Sequence, residues 1–305
     1  PSAFNQALKL ALLEALPNNL AIRADLADTR SWQSNIQAKN GKLILAIKYL
    51  KEALSQVENI YSTEHRFKNI ETLSELEHKI ALLYYDTGDL ENAKTYNLKA
   101  QKNINKLIKN DDRNLLFKND LLWSHLLSIQ IFINLNKLDQ ALIYLDKTKA
   151  LMNILRSSAT KTSDIMRANV SLLHYQAQTM ALLKQSQSAF LAITDAIKLF
   201  QQHLSVNTQT PLYARIMLTK LSILSATDNV DNASIENELD EIKKLLETKL
   251  QASAPDYKTL FIYLTTLKFM QQLQQDNPWL ELYQNSDYNI PDYSIISSMD
   301  NNTHN

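Results

Sequence analysis

The chain has 305 residues, 45% of them hydrophobic, with two glycines, six prolines and no cysteine. Two glycines cannot supply the hairpin turns of a sheet-rich fold or the phosphate loops of a doubly wound one, whereas Leu, Ala, Lys, Gln and Glu fill segments of helical length, so the sequence predicts an all-α protein. The 32 basic and 32 acidic side chains cancel, which removes any global field toward nucleic acid or an anionic membrane.

The absence of cysteine excludes disulfides, thiolate metal sites and a cysteine nucleophile. It leaves the compartment open between a reducing cytosol and a periplasmic part of a membrane-tethered protein. No apolar run reaches the roughly 20 residues that span a bilayer, so no insertion is expected in this segment.

In chain order, "FNQALKLALLEALPNN" reads as the second helix of a repeat, because Phe4 and Ala7 fall one repeat before Leu50 and Ala53. Residues 1–20 are thus expected to be the remnant of a repeat whose first helix lies upstream. Four helical hairpins are predicted over residues 21–203. Their second helices carry Ala46, Ala93, Ala141 and Ala189, at steps of 47, 48 and 48. Five residues before each lies a turn position, Gly41, Gly88, Asn136 and Lys184, and seven after lies a second small residue, Ala53, Ala100, Thr148 and Ala196.

The turn position calls for a residue tolerant of positive φ, best met by Gly and next by Asn, so Lys184 marks a repeat where the cap is expected to have changed. The alanines let two antiparallel helices approach closely, with Leu43, Leu90 and Leu138 opening the second helices on their buried faces. Residues 204–284 continue as degenerate helical hairpins without the small-residue signature. The last segment, 285–305, is expected to be an extended tail, because its Asn, Asp, Ser and Pro oppose helix. Tyr288, Ile290, Tyr293, Ile295 and Ile296 make it sticky enough to lie against the helices, where it could occupy a binding groove.

This pattern resembles the tetratricopeptide repeat (TPR), a helix-turn-helix unit with a small residue in its first helix, Gly at the turn and Ala twice in its second helix. Ser34, Ala81 and Ala177 take the first-helix small position. Ile129 departs from it, so a more open third hairpin is expected. The period exceeds the family's by about 13 residues, which at about 1.5 Å per residue predicts helices nearly two turns longer. The resemblance implies one right-handed α-solenoid over residues 1–284, with repeats of 47–48 residues. More loosely, stretches such as "NNLAIRADLADTRSWQSNIQAKNGKLILAI" resemble repeats found behind kinase or winged-helix domains in large bacterial signalling proteins.

The family's groove-facing phases map to Ser31, Asn35, His78, Leu82, Leu126, Gln130, His174 and Gln178. This polar, mixed set implies a peptide or protein ligand, and it lacks the lysines that clamp a terminal carboxylate in chaperone-tail-binding members. Other candidates read as structural. Glu75 and His78 have the Glu-x-x-His spacing of di-iron bundles but no second pair, so His78 is expected to be capped or solvated. Lys99, Lys102, Lys106 and Lys109 form a solvated stripe, and Tyr49, Tyr96 and Tyr144 form a column packed between hairpins. No nucleophile elbow, phosphate loop or metal motif occurs, so neither cofactor nor enzymatic activity is expected. The resulting expectation is a recognition scaffold within a regulatory protein. Its alternatives are a ligand-sensing domain that controls an upstream kinase or DNA-binding effector, and a scaffold that self-associates as a homo-oligomer.

Overall fold

The computed structural model describes residues 9, 11–157, 162–226, 232–252, 256–270 and 277–289. The protein is all-α, with no strand among the described residues. Residues 11–15 are helical. Twelve helices follow: α1 (Leu20–Lys39), α2 (Leu43–Thr63), α3 (Phe67–Asp86), α4 (Leu90–Asn110), α5 (Leu115–Asn134), α6 (Leu138–Ser157), α7 (Ser163–Leu182), α8 (Ser186–His203), α9 (Thr210–Ser225), α10 (Asn232–Ala252), α11 (Tyr257–Phe269) and α12 (Pro278–Gln284). Seven of the eight helices from α1 to α8 are 20 or 21 residues long, the lengthening that the long period predicts. No helix among the described residues is long and apolar enough to cross a membrane.

The described chain divides into two compact units. One holds the residues up to 124 together with 286–289, the other residues 125–285, and the division falls inside α5. In the first unit α1 packs on α2, α2 on α3 and α3 on α4. In the second, each helix from α6 to α12 packs on the next, and α7–α9 and α9–α11 also touch. Contact between alternate helices is what stacked hairpins produce, since each hairpin buries against its neighbour a face it cannot bury alone.

The turns explain the regularity. Gly41, Gly88, Asn136 and Lys184 all have positive φ, at 76°, 80°, 53° and 59°. Each turn closes the same two bonds. At Gly88, its own N–H donates to Tyr85 O at 3.0 Å and the N–H of Asp89 to Tyr84 O at 2.9 Å; at Lys184 the equivalents run to Ala181 O and Met180 O, both at 2.9 Å. This is the Schellman closure, which satisfies carbonyls the helix end would otherwise orphan. The expectation that the cap had changed at Lys184 is thereby corrected: lysine adopts the left-handed conformation itself, at a strain of about 1 kcal/mol, because the two bonds and the packing of the next helix hold it there.

Ala46, Ala93, Ala141 and Ala189, and seven residues on Ala53, Ala100, Thr148 and Ala196, are all 0% exposed. A larger side chain at these phases would overpack the contact, at about 1–3 kcal/mol. Ser34, Ala81 and Ala177 are buried in the partner helices, and Ile129 is buried at the same phase. Of the residues that open second helices, Leu43 is fully buried while Leu90 and Leu138 are half-buried.

Candidate functional site

The predicted first-helix column divides by burial. Asn35 is exposed, and Ser31, Leu82 and Gln130 are half-exposed. Trp32, which follows Ser31, is 51% exposed. Leu126, His174 and Gln178 are 2%, 1% and 2% exposed, so they offer no surface to a partner. The reason lies between hairpins. His174 Nε2 lies 2.9 Å from Thr219 Oγ1, where α7 packs against α9.

His78 is half-buried rather than freely solvated, which corrects that expectation. Its ring sits against Asn97, its Nδ1 is buried without a hydrogen-bond partner, and desolvation pushes it down to about 4, with the Asn97 bond opposing and nearby Lys79 adding to the drop. Asn97 in turn donates to Ser124 O at 2.9 Å and accepts from Ser124 Oγ at 2.7 Å, so His78 belongs to a polar bridge from α3 through α4 to α5. His125 lies edge-on to Tyr144 at 5.3 Å, with desolvation and then Lys147 pushing it down to about 4. Burial and then Arg215 push His174 down to about 3. These imidazoles stay neutral because the charged form would be stranded in an apolar medium. Glu77 is the opposite case. It is buried, accepts from Asn103 Nδ2 at 2.8 Å, and desolvation raises it to about 7 against the pull of Asn103, Lys99 and Lys106. Among the described residues no group of three His, Asp or Glu is placed to hold a metal ion.

The tyrosine column carries cations. Arg30 lies 5.2 Å from the Tyr49 ring while ion-pairing with Glu52 at 2.7 Å. Tyr84 and Tyr96 stack at 5.7 Å, with Lys51 over both and Lys99 over Tyr96 at 4.9 Å. Lys147 lies 4.7 Å from Tyr144, which also packs on Phe132. Tyr144 is buried and the other two are half-buried, so the rings bridge helices while their faces stabilise ammonium or guanidinium groups by about 0.5–1 kcal/mol each.

The tail reaches the turns of the first two hairpins. The Asp287 N–H donates to Gly41 O at 2.8 Å and the Asn289 N–H to Asp86 O at 2.9 Å. Asp287 Oδ2 accepts from Ile44 N at 3.0 Å, and so caps α2, whose own N-cap residue, Lys42, makes no side-chain bond. Ile290, Tyr293, Ile295, Ile296 and the rest of 290–305 lie outside the described residues, as does the expectation that they fill a groove. Beside the docked segment, α2 and the α3–α4 turn enclose a cleft of about 710 Å³, lined by Ile44, Ile47, Lys51 and Tyr84.

A second cleft, of about 390 Å³, lies between α6, α7 and α8. One face of each helix lines it, at the steps 149, 152, 153, 156, then 169, 172, 173, 176, then 195, 198, 199, 202. Each series runs i, i+3, i+4, i+7, the spacing of one helical stripe. The sequence reading did not single out these residues. Their signal was the i, i+7 pair of cations on α6, Lys149 and Arg156, together with Asn169 one helical turn before Leu172 and Leu173. No protein-family model matches the chain, and no curated protein is significantly similar to it.

Proposed function

We propose that the chain is a non-catalytic recognition module, a right-handed TPR-like solenoid of long hairpins that binds a peptide or a protein. The observation that carries this reading is Trp32, 51% exposed on α1 beside Ser31 and one turn from the exposed Asn35, on hairpins clamped by recurrent left-handed turns. An indole left half in water forgoes burial, and tryptophan held on a rigid frame is the side chain that most often anchors a protein partner. The buried alanine contacts keep the first helix fixed, so little ordering entropy opposes binding there.

The test is selection of a random peptide library against the immobilised chain, followed by calorimetry with the enriched peptide. The expected result is one-to-one binding that Trp32→Ala and Asn35→Arg each weaken by about tenfold or more. A library that enriches nothing beyond what an unrelated helical protein enriches refutes the reading.

A further inference from the structure

The cleft between α6, α7 and α8 is lined by none of the first-helix column residues, and its chemistry is more specific. Its floor is apolar: Met152 and Leu172 are buried, and Leu199 is half-buried. Its rim carries Lys149, Arg156 and Lys198 against one acid, Asp195, an excess of positive charge on a chain whose total is zero. Lys149 meets Asp146 only at 3.9 Å, and neither Arg156 nor Lys198 has an ion-pair partner among the described residues. Asn169 lines the same cleft, is 3% exposed, and its Nδ2 has no hydrogen-bond acceptor. A buried donor left unpaired destabilises a fold, and an apolar residue of similar shape would remove that penalty.

We infer that this cleft docks an acidic, apolar peptide segment. The segment's aliphatic side chains cover the floor of Met152, Leu172 and Leu199, its carboxylates meet Arg156 and Lys198, and one of its oxygens accepts from Asn169. The inference rests on the recognition reading above and narrows it to a partner chemistry, at residues other than Trp32 and Asn35. Charged hydrogen bonds to a carboxylate supply specificity at the rim, while the floor supplies the area removed from water.

The probe is a fluorescent, amide-capped dodecapeptide alternating two glutamates with two leucines, compared with its lysine-for-glutamate counterpart by anisotropy. The acidic peptide is expected to bind and the basic one not to. Arg156→Glu and Lys198→Glu, both at exposed positions, should each weaken binding by roughly tenfold. Inorganic phosphate at matched ionic strength should not displace the peptide; displacement would mean a bare anion site and overturn the peptide inference. Asn169→Leu should raise the Tm and weaken binding together, a pairing that a merely structural asparagine does not give. Equal binding of both peptides, or undiminished binding to the reversed-charge variants, overturns the inference, as does Asn169→Leu with lowered Tm and full affinity. If library-selected peptides bind through Trp32 while the acidic probe does not bind, this inference falls and the recognition reading stands. If nothing binds, both fall.

Discussion

Replacing Gly88 with alanine perturbs two things at once, and the structure separates them. The first is conformational: φ is +80°, where an L side chain costs about 1–2 kcal/mol relative to glycine. The second is steric. A Cβ on Gly88 would lie 2.8 Å from the Asn289 carbonyl oxygen and 2.9 Å from its Nδ2, closer than such atoms approach, so the tail must move. Moving it breaks the Asn289-to-Asp86 bond and loosens the cap that Asp287 places on α2, each contributing about 1 kcal/mol.

Gly88→Ala should therefore cost roughly 2–4 kcal/mol in the full chain and roughly 1–2 kcal/mol once residues 286–305 are removed. Urea denaturation of the four proteins, followed by far-ultraviolet circular dichroism, measures both costs and hence the coupling between turn and tail. An equal cost in both backgrounds would refute the steric argument and detach the tail from the turn.

Three further outcomes follow from the same geometry. Lys184→Gly relieves a left-handed lysine and should raise stability by roughly 0.5–1 kcal/mol, read as a higher urea midpoint at unchanged slope. Asp287→Ala should cost about 1 kcal/mol, and Lys42→Asp should restore part of it by capping α2 locally; a loss that Lys42→Asp leaves untouched would argue against the capping role. His78, His125 and His174, held near 4, 4 and 3, stabilise the fold above pH 6.5, and that stability is lost as pH falls toward 4. Glu77, raised to about 7, works in reverse: its contribution is present below pH 4.5 and is lost as pH rises through 7. Three groups outweigh one, so stability should drop by several kcal/mol between pH 7 and pH 5 at about 1.4 kcal/mol per histidine per pH unit, and Glu77→Gln should stabilise the protein at pH 8 but not at pH 4.5. Thermal melts across this range check both signs.

The hairpins were legible because their determinants are local. A left-handed turn at Gly41, Gly88 and Asn136 and a buried alanine five residues later are decided within one hairpin, by sterics that a single chain segment carries. Lys184 shows the limit. Residue preference reads a lysine there as a changed turn, yet the two capping bonds and the fully buried Ala189 outweigh a strain of about 1 kcal/mol, so the backbone keeps the geometry that its own residue disfavours.

The candidate site was less legible because burial between hairpins is not local. Phase alone placed His174 and Gln178 on an open face; Thr219, 45 residues downstream, closes over His174, and no spacing within α7 announces that. Burial of the same kind explains why His78, His125 and His174 are chemically quiet, since a ring wedged between helices loses its water and with it its charge. By the same reasoning, the tail's role could not be read from its composition. What matters in it is Asp287, whose carboxylate replaces a cap that Lys42 cannot provide across 243 residues of chain. The cleft at Asn169 is the converse. There a polar side chain stays buried without a partner, and because folding gains nothing from an unpaired amide, an outside acceptor is the physical account that gives it a purpose.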